Sequence, residues 1–242
     1  MKDTSVKVGL IAPHHGRVME EEFPLASPLG VEFLVRGLSI GEATPQRLEA
    51  IATPPLMEDA AREFAALGVS LIVQCGTPLG FFKGDAFNRE IIARLERATG
   101  LPATTMASSV VEALRHLGVA RVVAVTPYID ELNGRLRAFL EAAGFLVLHI
   151  ESVDASRADV DSYNAHPATV AYNLAKKVFA DNPGAEGVLI SCGGFRSIDM
   201  VKRLETELGV PVTTSNHATL WNSLRMLHIQ DRVPGYGRLL RS

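Results

Sequence analysis

Gly187-Val188-Leu189-Ile190-Ser191-Cys192-Gly193-Gly194 reads as a short apolar strand that runs into a turn carrying a thiol. A bounded run of four to eight apolar and β-branched residues fits a strand covered on both faces, the kind found in parallel sheets. The two glycines that follow free the backbone from side-chain constraint and leave N–H groups to point at an anion beside the sulfur. A second stretch, Leu71-Ile72-Val73-Gln74-Cys75-Gly76, has the same plan. Downstream of each lies a matching hexapeptide, Gly100-Leu101-Pro102-Ala103-Thr104-Thr105 and Gly209-Val210-Pro211-Val212-Thr213-Thr214. Two elements that recur in the same order mark an internal duplication.

The remaining pattern extends this unit. Strands are predicted at Val6–Ala12, Val31–Val35, Val69–Val73, Arg121–Val125, Phe145–Ile150, Gly187–Ser191 and Val210–Thr213. Between them, helices are predicted at Met57–Leu67, Ala86–Thr99, Ser108–Leu117, Asp130–Ala143, Ala168–Ala180, Ser197–Leu208 and Ala218–Leu227. Alternating strand and helix predicts an α/β fold with parallel sheets, here two related, pseudo-symmetric halves. The expected division is residues 1–110 with the C-terminal segment 215–242 in one half, and 111–214 in the other. Open parallel sheets bind ligands at the C-terminal ends of their strands, which places an active site between the halves. Both Cys-Gly turns, Pro13-His14-His15-Gly16 and Thr126-Pro127-Tyr128 fall at such ends.

Composition removes several function classes. The 242 residues are 47% hydrophobic and 21% charged with a net charge of −3, so there is no basic field for nucleic acid. No apolar run approaches the roughly 18 residues of a membrane helix. The N-terminal residues lack the apolar core and cleavage site of a secretory signal, and the expected location is the cytoplasm. Two cysteines make neither a disulfide framework nor a zinc cluster. His14 and His15 have no partner at metal-ligand spacing, and His217 and His228 carry no carboxylate motif, so no metal is expected. The glycines form neither a Walker nor a dinucleotide fingerprint, and no cofactor is expected.

Cys192 is the first candidate for chemistry, as against a plain core cysteine, because of its Gly-Gly turn; a thiolate there is expected to have a depressed pKa. Gly76 and Thr77 offer N–H groups and a hydroxyl. Tyr128 offers a phenol to a developing oxyanion.

With these residues in view, the chain resembles the aspartate/glutamate racemase superfamily. It is most similar to its arylmalonate decarboxylases and next to its maleate cis-trans isomerases. The likeness is carried by Gly76 to Gly84, Ala86-Phe87-Asn88, Thr104-Thr105-Met106, Tyr128 to Asn133, Ser191 to Gly194 and Pro234 to Leu239. The resemblance implies a small carboxylic acid as substrate, with no cofactor. It implies that Cys192 gives a proton to carbon, while Thr77, Tyr128 and the N–H groups of Gly76 and Gly193 hold an enediolate. Pro13, Ile40, Ala43, Leu48 and Val160, with Ala12, are the implied apolar pocket, and His14, Tyr163 and Asn164 its polar rim. It leaves the oligomeric state open.

Cys75 separates two readings. Racemases and maleate isomerases of the superfamily use two facing cysteines, and the repeat pairs Cys75-Gly76 with Cys192-Gly193. The decarboxylases keep one cysteine opposite a glycine. Placing Gly76-Thr77 on the decarboxylase glycine-threonine matches the following residues without a gap and sets Cys75 one residue before the slot, on the other face of the strand. The longer ungapped match favours decarboxylation with Cys75 structural; a two-cysteine isomerase or racemase is the alternative. Departures from the decarboxylase pattern are Pro78 in place of a serine, and the polar His14-His15 and Tyr163-Asn164. From the isomerase pattern, Gly16 replaces an asparagine and Cys192-Gly193-Gly194 a Cys-Thr-Asn turn.

Overall fold

The computed structural model describes residues 5–242 and contains two four-stranded parallel sheets. The elements of the first sheet and its helices are β1 (Val6–Ala12), α1 (Arg17–Ala26), β2 (Val31–Gly37), α2 (Pro45–Ala52), α3 (Leu56–Ala66), β3 (Leu71–Gln74), α4 (Thr77–Phe81), α5 (Asp85–Thr99), β4 (Ala103–Thr105) and α6 (Met106–His116). The second set is β5 (Arg121–Thr126), α7 (Asp130–Ala142), β6 (Leu146–Ser152), α8 (Val160–Ala165), α9 (Ala168–Ala180), β7 (Gly187–Ile190), α10 (Val201–Leu208), β8 (Val212–Thr214) and α11 (Ser215–Met226).

The strand orders are β2-β1-β3-β4 and β6-β5-β7-β8, the same permutation twice. This is the pseudo-symmetric α/β architecture that the repeat predicts. β3 and β7 are buried at every residue, which explains sequences that are apolar throughout except for Gln74 at the end of β3: helices cover both faces. Among the described residues no helix is long and apolar enough to cross a membrane.

The structure moves several predicted boundaries, and for local reasons. β4 and β8 end in Thr-Thr, and the second threonine of each caps the next helix: Thr105 Oγ1 accepts from the Ser108 N–H at 3.0 Å, and Thr214 Oγ1 from the His217 N–H at 3.1 Å. Side-chain capping lets a strand pass into a helix without a loop, so α6 and α11 begin before Ser108 and Ala218, the predicted starts. The helix predicted from Ser197 opens instead with a 3-10 turn over Ile198–Met200. β4 is absent from the predicted strands, because three residues after a proline show no period. Helix α1 also escapes the pattern, having three consecutive glutamates and Pro24 within it.

Candidate active site

A cleft lies where β1, β3, β5 and β7 end, with walls from both sheets. Ala12 ends β1 and Pro13 and His14 follow it, Gly76 and Pro78 follow β3, Tyr128 follows β5, and Cys192, Gly193 and Gly194 follow β7. Ile40, Ala43, Leu48, Val160, Tyr163 and Asn164 complete the lining. The two segments that carry them are paired with each other. The Ala43 N–H donates to the Ala158 carbonyl at 2.7 Å, the Val160 N–H to Gly41 at 3.0 Å, and Glu42 and Asp159 form an antiparallel bridge. Thus the loop after β2 and the loop before α8 clasp each other over the apolar wall.

The expected pocket residues Pro13, Ile40, Ala43, Leu48 and Val160, with Ala12, meet in this one cavity. So do His14, Tyr163 and Asn164. Thr77 does not reach its surface: it is buried behind Gly76, and its Oγ1 is 2.8 Å from Ser215 Oγ. The N–H groups of Gly76 and Gly193 donate to no acceptor among the described residues, and both glycines line the cleft. They are donors available to an anion.

Register decides which residues are related by the duplication. Gln74 pairs with Thr105 on β4, and Ile190 with Thr214 on β8. On the inner side, Cys75 donates its N–H to Ile11 and Ser191 donates its N–H to Val125, at the matching positions of β1 and β5. Cys75 is therefore the counterpart of Ser191, and Gly76 the counterpart of Cys192. The pairing of Cys75 with Cys192 read from the repeat is wrong by one residue. Cys75 is fully buried and lines no part of the cleft.

Cys192 is 8% exposed, at the cleft wall. Its N–H donates to Ser215 Oγ at 3.1 Å, and its Sγ accepts the Gly194 N–H at 3.3 Å. Burial pushes the thiol up to about 11, against the opposing pull of the Gly194 N–H, Tyr128 and the Phe195 N–H. This overturns the expected depressed pKa. The turn does supply donors to sulfur, but losing water costs the thiolate more. At neutral pH the group is a thiol, which holds a proton to give. Burial also raises the Cys75 thiol.

Tyr128 is fully buried except for its face on the cleft, and its hydroxyl is 3.3 Å from Ser191 Oγ. Burial lifts its pKa well above the ordinary phenol value, and a charge on Cys192 lifts it further, while hydrogen bonds from Ser191 and Thr77 oppose both. It is a neutral O–H donor. Tyr163 is raised in the same way by burial, and its hydroxyl donates to the Arg157 carbonyl at 3.2 Å. At the rim, burial lowers the pKa of His14, so the ring is neutral and its Nε2 meets the Asn164 amide. The same amide donates to the Val160 carbonyl at 3.2 Å, which makes His14 and Asn164 a braced wall. Among the described residues no cluster of three or more His, Cys, Asp or Glu could hold a metal.

Sequence reasoning missed Val18 and Met19, which line the cleft from α1, and Ser215, which joins Thr77 to Cys192. Met19 was hidden with its helix. Ser215 carried one signal, its place directly after the repeated Thr213-Thr214. A Cβ at Gly193 would collide with Met19 Cε and stand 3.1 Å from Met106 Cε, so the flexible ends of both methionines would have to shift to admit one.

The chain is similar to known proteins over nearly its whole length. The family model described as arylmalonate decarboxylase matches residues 8–240. The arylmalonate decarboxylase of Bordetella bronchiseptica is 36% identical over 233 residues, which cover 96% of this chain and 95% of that protein. The maleate isomerase of Nocardia farcinica is 29% identical over 248 residues, covering 97% and 95%. A solved arylmalonate decarboxylase in liganded form, with one glycine changed to cysteine and one cysteine to serine, superposes with a TM-score of 0.88. It has 33% identity, with 97% of this chain and 98% of that one covered.

Proposed function

The chain belongs to the arylmalonate decarboxylase family, and from that premise we propose that it is a cofactor-independent decarboxylase of a disubstituted, aryl-bearing malonate. The observation that carries the reading is the lone thiol at the cleft: Cys192 stands at the wall, its duplicate position is Gly76, and Cys75 is in the core.

In this reading one carboxylate of the substrate is held by the free N–H groups of Gly76 and Gly193 and by the hydroxyl of Tyr128, which Thr77 hydrogen-bonds from behind the cleft wall. The second carboxylate faces Ala12, Pro13, Ile40, Ala43, Leu48 and Val160, where no side chain donates a hydrogen bond. An unsolvated carboxylate is destabilised there, and leaving as neutral CO2 relieves it. The bond between the α-carbon and that carboxylate breaks, and its electron pair passes into the retained carboxylate as an enediolate. Preplaced donors stabilise this charge without reorganising, each by about 3 kcal/mol. The Cys192 S–H then gives its proton to the α-carbon, and water reprotonates the sulfur. A thiol with a pKa of about 11 suits the step, because it is protonated before each turnover.

Incubation with phenylmalonate-type acids, followed by CO2 release, tests the reading. Cys192→Ala should abolish release, and Cys75→Ala should retain it. No turnover across a panel of aryl and alkyl malonates would sink it, as would loss of activity in a folded Cys75→Ala variant.

A further inference from the structure

Glu22 is a buried carboxylate that the reaction does not use. It lies on α1, 5% exposed, and burial raises its pKa, with hydrogen bonds from Asn216, Ser197 and Ile198 opposing that rise and the charge of Asp199 adding to it. Its Oε1 accepts the N–H of Ser197 at 2.6 Å and of Ile198 at 3.1 Å, and its Oε2 accepts the Asn216 Nδ2 at 2.7 Å. The same Nδ2 donates to the Gly193 carbonyl at 3.1 Å.

An amide NH2 has two protons, and both are used, one on the carboxylate and one on the carbonyl. Asn216 Oδ1 is left buried with no partner. Turning the amide over would set that oxygen against a carboxylate and a carbonyl, so Glu22 fixes which way Asn216 points. Leaving a buried acceptor unpaired is costly, and the fold carries that cost to keep the NH2 in this place.

The consequence passes to the sulfur through one peptide bond. In a trans peptide the carbonyl and the following N–H point in opposite directions. Holding the Gly193 oxygen toward Asn216 therefore aims the Gly194 N–H the other way, where it meets Cys192 Sγ at 3.3 Å. With glycine on both sides of that bond, little else restrains its plane.

We propose that Glu22 and Asn216 are positioning residues for the Cys192 thiol, setting the plane of the Gly193–Gly194 peptide and with it the N–H that lies 3.3 Å from the sulfur. The link to proton donation rests on the decarboxylase reading above; the link to the thiol does not. Other titratable groups facing this chain are Asp199 toward Glu22, and Tyr128, Tyr163 and His14 around the cleft. None of them touches the peptide.

The test is the alkylation rate of Cys192 by iodoacetamide at pH 9, in a Cys75→Ala background so that one thiol reports. Without the Gly194 N–H the thiolate fraction falls. Asn216→Ala and Glu22→Gln should each slow alkylation by about three- to tenfold, the effect of half to one pH unit. With a phenylmalonate-type acid, kcat should fall by about tenfold and KM stay within about twofold, as for a group acting after binding. The double variant Glu22→Gln/Asn216→Asp remakes the hydrogen bond between α1 and α11 but gives the Gly193 oxygen no donor. It should recover thermal stability lost in Glu22→Gln without recovering alkylation rate. Folded single variants with parental alkylation rates would overturn the proposal, as would a double variant that restores both readouts. If one single variant does not fold, the other decides. If the parent decarboxylates no malonate, the functional reading falls, and alkylation still judges the positioning role.

Discussion

Ser215 Oγ stands 2.8 Å from Thr77 Oγ1, joining the helix after β8 to the turn after β3. The same oxygen accepts the Cys192 N–H at 3.1 Å, so one hydroxyl holds both sides of the cleft. With that N–H on one lone pair, the Ser215 proton is free for Thr77, and the Thr77 proton for Tyr128.

Ser215→Ala should damage both stability and turnover. It strands the Cys192 N–H and the Thr77 hydroxyl in the core, at a cost of about 1–3 kcal/mol. Thermal melts should show a lower midpoint, and steady-state kinetics a drop in kcat of about tenfold. Unchanged kcat in the folded variant would show that Thr77 needs no orienting partner.

Gly76 should resist any side chain. Its φ is +92°, and a Cβ there would lie 2.5 Å from Pro13 Cγ. The backbone conformation alone costs an L-residue about 1–2 kcal/mol, and the overlap adds to it. In urea unfolding, Gly76→Ala should lose more than either effect alone. Pro13→Ala/Gly76→Ala should regain the steric part and leave the backbone part, a coupling that a double-mutant cycle reads directly.

Stability should decline on the alkaline side. Cys192 is raised to about 11 in the folded protein, whereas an unfolded cysteine titrates near about 8.5. The folded state therefore holds the proton more tightly, and its advantage is complete below the unfolded pKa. It is lost as pH rises toward the folded value. For a group this buried the contribution is about 3 kcal/mol. Chemical denaturation between pH 8 and 11 should show the decline, and Cys192→Ser should flatten it; Cys75, raised in the same direction, accounts for what remains.

The acid side should be governed by His217. Burial holds it down to about 3, with Thr213 Oγ1 3.4 Å from its Nδ1. A depressed histidine stabilises fully above its unfolded pKa of about 6.5, and that stability is lost as pH falls toward the folded value, on the order of 5 kcal/mol in all. Histidine proton resonances followed by NMR should show one ring that does not titrate above pH 4. A normal titration at His217 would refute the assignment.

Much of this site can be read from the chain because it is built at strand ends. Pro13, Gly76, Tyr128 and Cys192 each follow an apolar run, and parallel topology alone gathers such positions. Ile40, Ala43, Leu48 and Val160 were reached through family resemblance; no periodicity places them, since the clasp between Gly41 and Val160 is a pairing of distant loops. The repeat was informative about topology and misleading about register. Its Cys-Gly match slid by one residue, which only the hydrogen bonds of Cys75 and Ser191 reveal. Glu22 and Met19 were illegible because charge and a proline mask the period of α1. The Cys192 pKa could not be read at all, since it depends on how much water the fold removes.

Helix α11 is buried without a break from Ser215 to Leu224, packed on α6 and α1, which cover the first sheet. Both neighbours are made early, and α11 is the last of the α-helices to be made. During synthesis, at about 5–20 residues per second, α6 waits roughly a hundred residues for its partner. For on the order of ten seconds the nascent first sheet presents an uncovered helical face to solvent or to a chaperone. The two sheets are thus duplicates in design but not independent in birth, and a fragment ending after α6 is expected to aggregate where the whole chain folds.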